Sequence, residues 1–87
     1  MIVAFHGSIT EYTNGEKSFT PGTSCLALRG LVDDLIGYYG ESFELLINGD
    51  ETCLILVNGI GVALSGGLDT PLAPGDKIEI LPFVEAG

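Results

Sequence analysis

The chain has 87 residues, of which 46% are hydrophobic and 17% charged, with three Lys and Arg against twelve Asp and Glu, for a net charge of −9. Such a composition describes one globular domain, small enough that folding buries only about 60% of the surface exposed by the unfolded chain. The acid excess repels phosphate backbones and anionic lipid, which argues against nucleic acid and membrane as partners and favours a protein with a basic patch.

The opening segment, "MIVAFHG", alternates Ile2, Ala4 and His6 on one side with Val3, Phe5 and Gly7 on the other, as a core strand does. Asn14-Gly15 supplies the positive backbone angles of a tight turn, and "EKSFT" follows as a second strand, so the two should form a hairpin. "TPGTS" breaks the pattern, with Thr23 or Ser24 as a helix N-cap. Beyond it Leu28, Leu31, Val32, Leu35 and Tyr39 fall on one helical face, while Arg29, Asp33 and Asp34 lie off it as a solvated side. Gly30 and Gly37 imply close packing or fraying before Gly40, since each weakens a helix by roughly 1 kcal/mol relative to Ala.

"ESFELLINGDE" reads either as a last helical turn or as a short strand turning at Asn48-Gly49, and the hairpin is preferred. "TCLILVNG" is a continuous apolar run, expected at the centre of the sheet and ending at Asn58-Gly59. Ser65-Gly66-Gly67 lacks the lysine of a phosphate loop and reads as a turn. "LDTPL" reads as a connector, in which Asp69 bonds nearby amides and Pro71 opens a helical turn. After Pro74-Gly75-Asp76 the strand "KIEILP" points Ile78 and Ile80 one way and Lys77, Glu79 and Leu81 the other, and Pro82 ends it. This order is that of an α+β, β-grasp (ubiquitin-like) fold: a mixed sheet of four or five strands wrapped around one main helix, the fifth strand arising if "FELLI" pairs.

Chemistry-bearing residues are few. Cys25 and Cys53 are too few for a disulfide scaffold or a zinc site and are expected as buried free thiols, with a reactive thiolate at Cys25 left open by its place near a helix start. A ferredoxin cluster would need four cysteines. His6, the single histidine, sits in a strand and reads as structural. The longest apolar run, Cys53 to Val57, is far shorter than the roughly 20 residues that span a bilayer, and the start has no basic and apolar export pattern, so a cytoplasmic location is expected.

Val57-Asn58-Gly59, then Gly66 to Leu72 ("GGLDTPL"), then Gly75-Asp76 with Ile78 and Pro82 occur in the order and spacing found in the MoaD/ThiS family of sulfur carriers. The opening "VAFHGSITE" also resembles the family's first strand. The resemblance is closest to the family's molybdopterin-synthase small-subunit branch and covers nearly the whole chain, most firmly from Leu56 to Pro82. It implies a β-grasp domain over residues 1–82 and a flexible C-terminal tail over residues 83–87.

In such carriers the chain binds no cofactor, and its partners do the chemistry. An E1-like adenylyltransferase uses ATP to join the terminal carboxylate, here that of Gly87, to AMP. A sulfur donor enzyme then leaves a thiocarboxylate, and the large subunit of molybdopterin synthase receives the sulfur for molybdenum or tungsten cofactor biosynthesis. Phe83, Val84, Glu85 and Ala86 are the implied partner-binding residues. Ala86 stands where the family has the first glycine of a Gly-Gly ending, so three other roles stay open: a ubiquitin-like protein modifier, a thiamine-pathway carrier, and a non-carrier interaction domain.

Overall fold

The computed structural model describes residues 1–21, 27–48, 53–62 and 66–82. The first strand, β1 (Ile2–Phe5), leads into a 3-10 helix at Gly7–Tyr12 and returns as β2 (Ser18–Phe19). The two pair antiparallel, Val3 opposite Phe19, and Asn14 and Gly15 adopt φ of 56° and 81° as the dipeptide predicts. The expected hairpin therefore forms, but around a 3-10 turn whose Ile9 is buried in the core.

The main helix, α1 (Leu28–Tyr39), buries Leu28, Leu31, Val32 and Leu35. Its start corrects the sequence reading: Ala27 occupies the N-cap with no side-chain cap bond. "LDTPL" does that work instead. The Leu28 amide donates to the Thr70 carbonyl at 2.9 Å, and Ala27 bridges Pro71, so backbone from a distant loop satisfies a helix-end donor that a Ser or Thr would otherwise take. Among the described residues, the Asp69 side chain accepts from Arg29 on α1 at 3.2 Å. The helical turn here is a 3-10 helix at Gly67–Asp69, ahead of Pro71 rather than opened by it. Gly37 has open space around the position of a Cβ, so close packing does not explain it. Gly40 ends α1 with φ of 94°, a left-handed angle that glycine reaches without a Cβ clash.

The segment for which a strand was preferred is a second helix, α2 (Glu41–Asn48). Phe43 and Leu46 are buried, Ile47 packs beside them, and Glu41, Ser42 and Glu44 face outward. The i, i+3, i+4 spacing of those three apolar residues matches a helix, and burying Phe43 alone is worth roughly 2–3 kcal/mol. Tertiary packing against α1 thus decides a segment whose local signals were divided.

Next come β3 (Cys53–Val57), β4 (Ile60–Gly61) and β5 (Lys77–Pro82). The described residues form one mixed sheet in the order β2-β1-β5-β3-β4. β1 runs parallel to β5, and β3 antiparallel to it. The centre is therefore β5, not β3 as expected, and the fifth strand is Ile60–Gly61 rather than "FELLI". Both helices cover one face, where Val3, Phe5, Ile78 and Ile80 are at most 3% exposed. Around Tyr39 the core is aromatic: its ring meets Phe5 at 5.7 Å and Phe43 at 5.6 Å.

Candidate functional site: the open sheet face and the end of β5

Because side chains alternate along a strand, registering residues share a face. The pairs Ile2–Lys77, Ala4–Glu79, Leu56–Glu79 and Leu54–Leu81 therefore place Ile2, Ala4, Leu54, Leu56, Lys77, Glu79 and Leu81 together on the side away from the helices. Ile2 is 45% exposed, while Ala4, Leu54, Leu56 and Leu81 keep intermediate exposure. Gly61, opposite Leu56 on β4, adds no side chain there. The face is a shallow apolar patch with a carboxylate at its middle.

That carboxylate is Glu79, and its partner is His6. The imidazole Nε2 lies 3.1 Å from Glu79 Oε2, and the His6 amide donates to the Ile80 carbonyl at 2.9 Å. His6 thus stands just past β1 on the surface, not within a strand, and its role is to hold Glu79.

At one end of this face lie Leu81 and Leu54, and Pro82, opposite Cys53, completes β5. Phe83, Val84, Glu85, Ala86 and Gly87, the site residues implied by the resemblance, follow directly in sequence and lie outside the described residues, as do Cys25, Thr23 and Ser24. Cys53 is a free thiol, half-buried, with Sγ 4.0 Å from the Leu46 carbonyl. Burial pushes its pKa up, which favours the unreactive thiol. Among the described residues no group of His, Cys, Asp or Glu could hold a metal ion, and no helix is long and apolar enough to cross a membrane.

At the other end of β5 two turn signatures lock together. Asn58 and Gly59 take φ of 52° and 85°, forming the tight β3–β4 turn. The Asn58 side chain donates to Asp76 Oδ1 at 3.0 Å and accepts from the Lys77 amide at 3.0 Å, while its own amide donates to the Lys77 carbonyl at 2.8 Å. Asp76 Oδ2 in turn accepts from the Ala73 amide at 2.7 Å. Donation from the Asn58 side chain first, then from the Ala73 backbone amide, holds the Asp76 carboxyl below its usual range. "VNG" and "PGD", ordinary turns when read singly, are one clasp that fixes where β3 and β5 begin and end.

Sequence reading missed both the open face and this clasp. The signal for the face was present: a run of five apolar residues from Cys53 to Val57 necessarily sends Leu54 and Leu56 to the side opposite Ile55 and Val57. By itself the run marks only an interior strand, because it does not say whether both faces of that strand are covered.

One mixed sheet, a main helix laid across it and a patch beside the end of β5 define a β-grasp, ubiquitin-like protein. A model of the ThiS family matches residues 3–87. The chain belongs to that family of ubiquitin-like sulfur carriers, small carrier proteins rather than enzymes. Among solved structures it is similar to CysO, an antigen of Mycobacterium tuberculosis, with TM-score 0.79 and 31% identity over 95% of this chain and 98% of that one. The Amycolatopsis orientalis BexX/CysO complex matches with TM-score 0.80 and 26% identity, covering 99% of this chain and 98% of that one. Small archaeal modifier protein 1 from Methanosarcina acetivorans matches with TM-score 0.79 and 26% identity, covering 99% and 94%. No curated protein matches the sequence.

Proposed function

We propose that the protein is a cytoplasmic sulfur carrier whose residues 1–82 are the docking scaffold and whose residues 83–87 are the reactive tail. The observation that supports this most is a family match that runs through the last residue, Gly87, on a sheet whose central strand leads into that tail. In the first step the Gly87 carboxylate attacks the α-phosphate of ATP on an E1-like adenylyltransferase, releasing pyrophosphate. Hydrosulfide delivered by a sulfur donor enzyme then displaces AMP and leaves the thiocarboxylate. The carrier supplies no acid, base or metal to either step; it supplies a thin tail and a surface that aligns it.

The apolar open face beside Leu81 is the natural seat for the adenylyltransferase, since it is continuous with the strand that feeds the tail. Phe83 and Val84 add apolar anchors, Glu85 and Ala86 complete the segment that threads the partner, and the net charge of −9 steers the carrier to a basic surface. Resemblance through Asn58-Gly59, "GGLDTPL" and Gly75-Asp76 favours the large subunit of molybdopterin synthase as the recipient, with the sulfur entering molybdenum or tungsten cofactor biosynthesis. A second reading, ubiquitin-like modification of lysines, is favoured by the similarity to an archaeal protein named as a modifier.

Intact mass spectrometry after incubation with the adenylyltransferase, ATP and sulfur donor tests the proposal. The native chain should gain the mass difference of one oxygen exchanged for sulfur, and a chain lacking Gly87 should not. No gain in the native chain but a gain in Ala86→Gly would show that the methyl group blocks activation and would turn the reading to a non-carrier paralogue. Isopeptide conjugates on a denaturing gel, without the thiocarboxylate, would select the modifier instead.

A further inference from the structure

The open face is apolar at Ile2, Ala4, Leu54, Leu56 and Leu81; its polar groups are Lys77 near the start of β5, Glu79 at its middle, and, on the β1–β2 side, Ser18 in register with Ala4 and His6 against Glu79. Glu79 is flanked in register by Ala4 on β1 and Leu56 on β3, with Leu81 next along its own strand. Its side chain is already only 24% exposed, against 48% for His6. A protein that docks on Leu54, Leu56 and Leu81 also covers Glu79 and removes its remaining water. A carboxylate desolvated in this way is costly unless hydrogen bonds and an opposite charge compensate it. His6 offers one nitrogen to one carboxylate oxygen, Oε2, so among the described residues Oε1 is left to water and needs a further donor once that water is removed.

We propose that Glu79, positioned by His6, is the specificity contact of this face, and that it receives one Arg or Lys side chain of the activating adenylyltransferase set within an otherwise apolar docking surface. The inference rests on the carrier reading above and adds the chemistry by which the partner is chosen. An adenylyltransferase with a wholly apolar docking surface is rejected, because Glu79 would be buried against it without a cation. One with a matching cation is accepted and oriented, since Lys77, on the same face but displaced toward the start of β5, repels the same cation in the wrong register. Specificity here comes from a group that penalises the wrong partner more than it helps the right one.

The experiment is steady-state pyrophosphate release by the adenylyltransferase that activates the native chain, with the sulfur donor saturating and the carrier as the varied substrate at two salt concentrations. Glu79→Lys and the near-isosteric Glu79→Gln are compared with the native chain, and denaturant titration of each variant confirms folding. Loss of one partner of a buried charge pair predicts a KM raised about 30-fold or more for Glu79→Lys, about tenfold for Glu79→Gln, kcat unchanged, and a flatter salt dependence of KM for Glu79→Gln. KM values within twofold of native for both variants would overturn this inference and leave the carrier reading standing. A fall in kcat at constant KM would overturn it too, since the contact would then act in catalysis rather than docking. Absence of thiocarboxylation in the native chain would overturn the carrier reading and the inference with it.

Discussion

The two faces of the sheet use the same strands and much the same residue types, yet only one is closed. Val3, Phe5, Ile78 and Ile80 lie beneath the helices at 0–3% exposure. Ile2, Ala4, Leu54, Leu56 and Leu81, their neighbours in sequence, face outward, Ile2 at 45% exposure and the others at intermediate exposure. Leucines left partly open to water in one continuous patch beside the end of the central strand are what the proposed docking uses. The inner face holds the fold together, and the proposed function assigns recognition to the outer one.

Substitutions should separate these two roles. On the closed side, Phe43→Ala should cost about 3–5 kcal/mol and Ile80→Ala about 2–5 kcal/mol in denaturant unfolding, with activation by partners lost only as far as the fold is lost. Next in size is the clasp: Asn58→Ala removes several hydrogen bonds and forces a Cβ residue without a polar side chain into a positive φ, for a loss of about 2 kcal/mol.

The clasp also carries a pH signature. Asp76 has a folded pKa below its ordinary one, so its contribution is present above the ordinary carboxylate value and is lost as pH falls through the folded value. Asp76→Asn should flatten stability across that acid window. At the other extreme, burial first, then the Glu16 carboxylate that accepts from its hydroxyl at 2.8 Å, push the Tyr39 phenol well above its usual 10. Its stabilising effect is present below pH 10 and fades above it. An ultraviolet titration should show Tyr39 ionising above the ordinary tyrosine range, and Glu16→Gln should bring it earlier. Smallest of all, Cys53 should react slowly with iodoacetamide at neutral pH, because its thiol is shielded and its pKa raised.

How much of this was legible in the sequence follows the physics of each element. The strand at Lys77–Pro82, where Ile78 and Ile80 alternate with Lys77 and Glu79, declared its buried face, and the helix from Leu28 declared its stripe, because periodicity fixes those, whereas Ile2–Phe5, apolar throughout, declared only a strand. "FELLI" did not, since four apolar residues in five suit either a strand or a helix, and the packing of Phe43 and Leu46 beneath the sheet and α1 decides between them. The start of α1 was illegible for a related reason: its cap is the Thr70 carbonyl, far away in sequence. The open face was written in the run Cys53–Val57 but required knowing that no described helix sits on both sides of β3. The pairing of His6 with Glu79, 73 residues apart, emerges only once β1 and β5 are known to lie side by side.

The most direct test of the division between faces is to measure stability and activation together in a Leu56→Ser, Leu81→Ser double variant. The account predicts an unfolding free energy within about 1 kcal/mol of native, the range of surface changes, with KM for the adenylyltransferase raised at least tenfold. A variant activated as well as the native chain, or one that loses stability as heavily as Ile80→Ala, would contradict it.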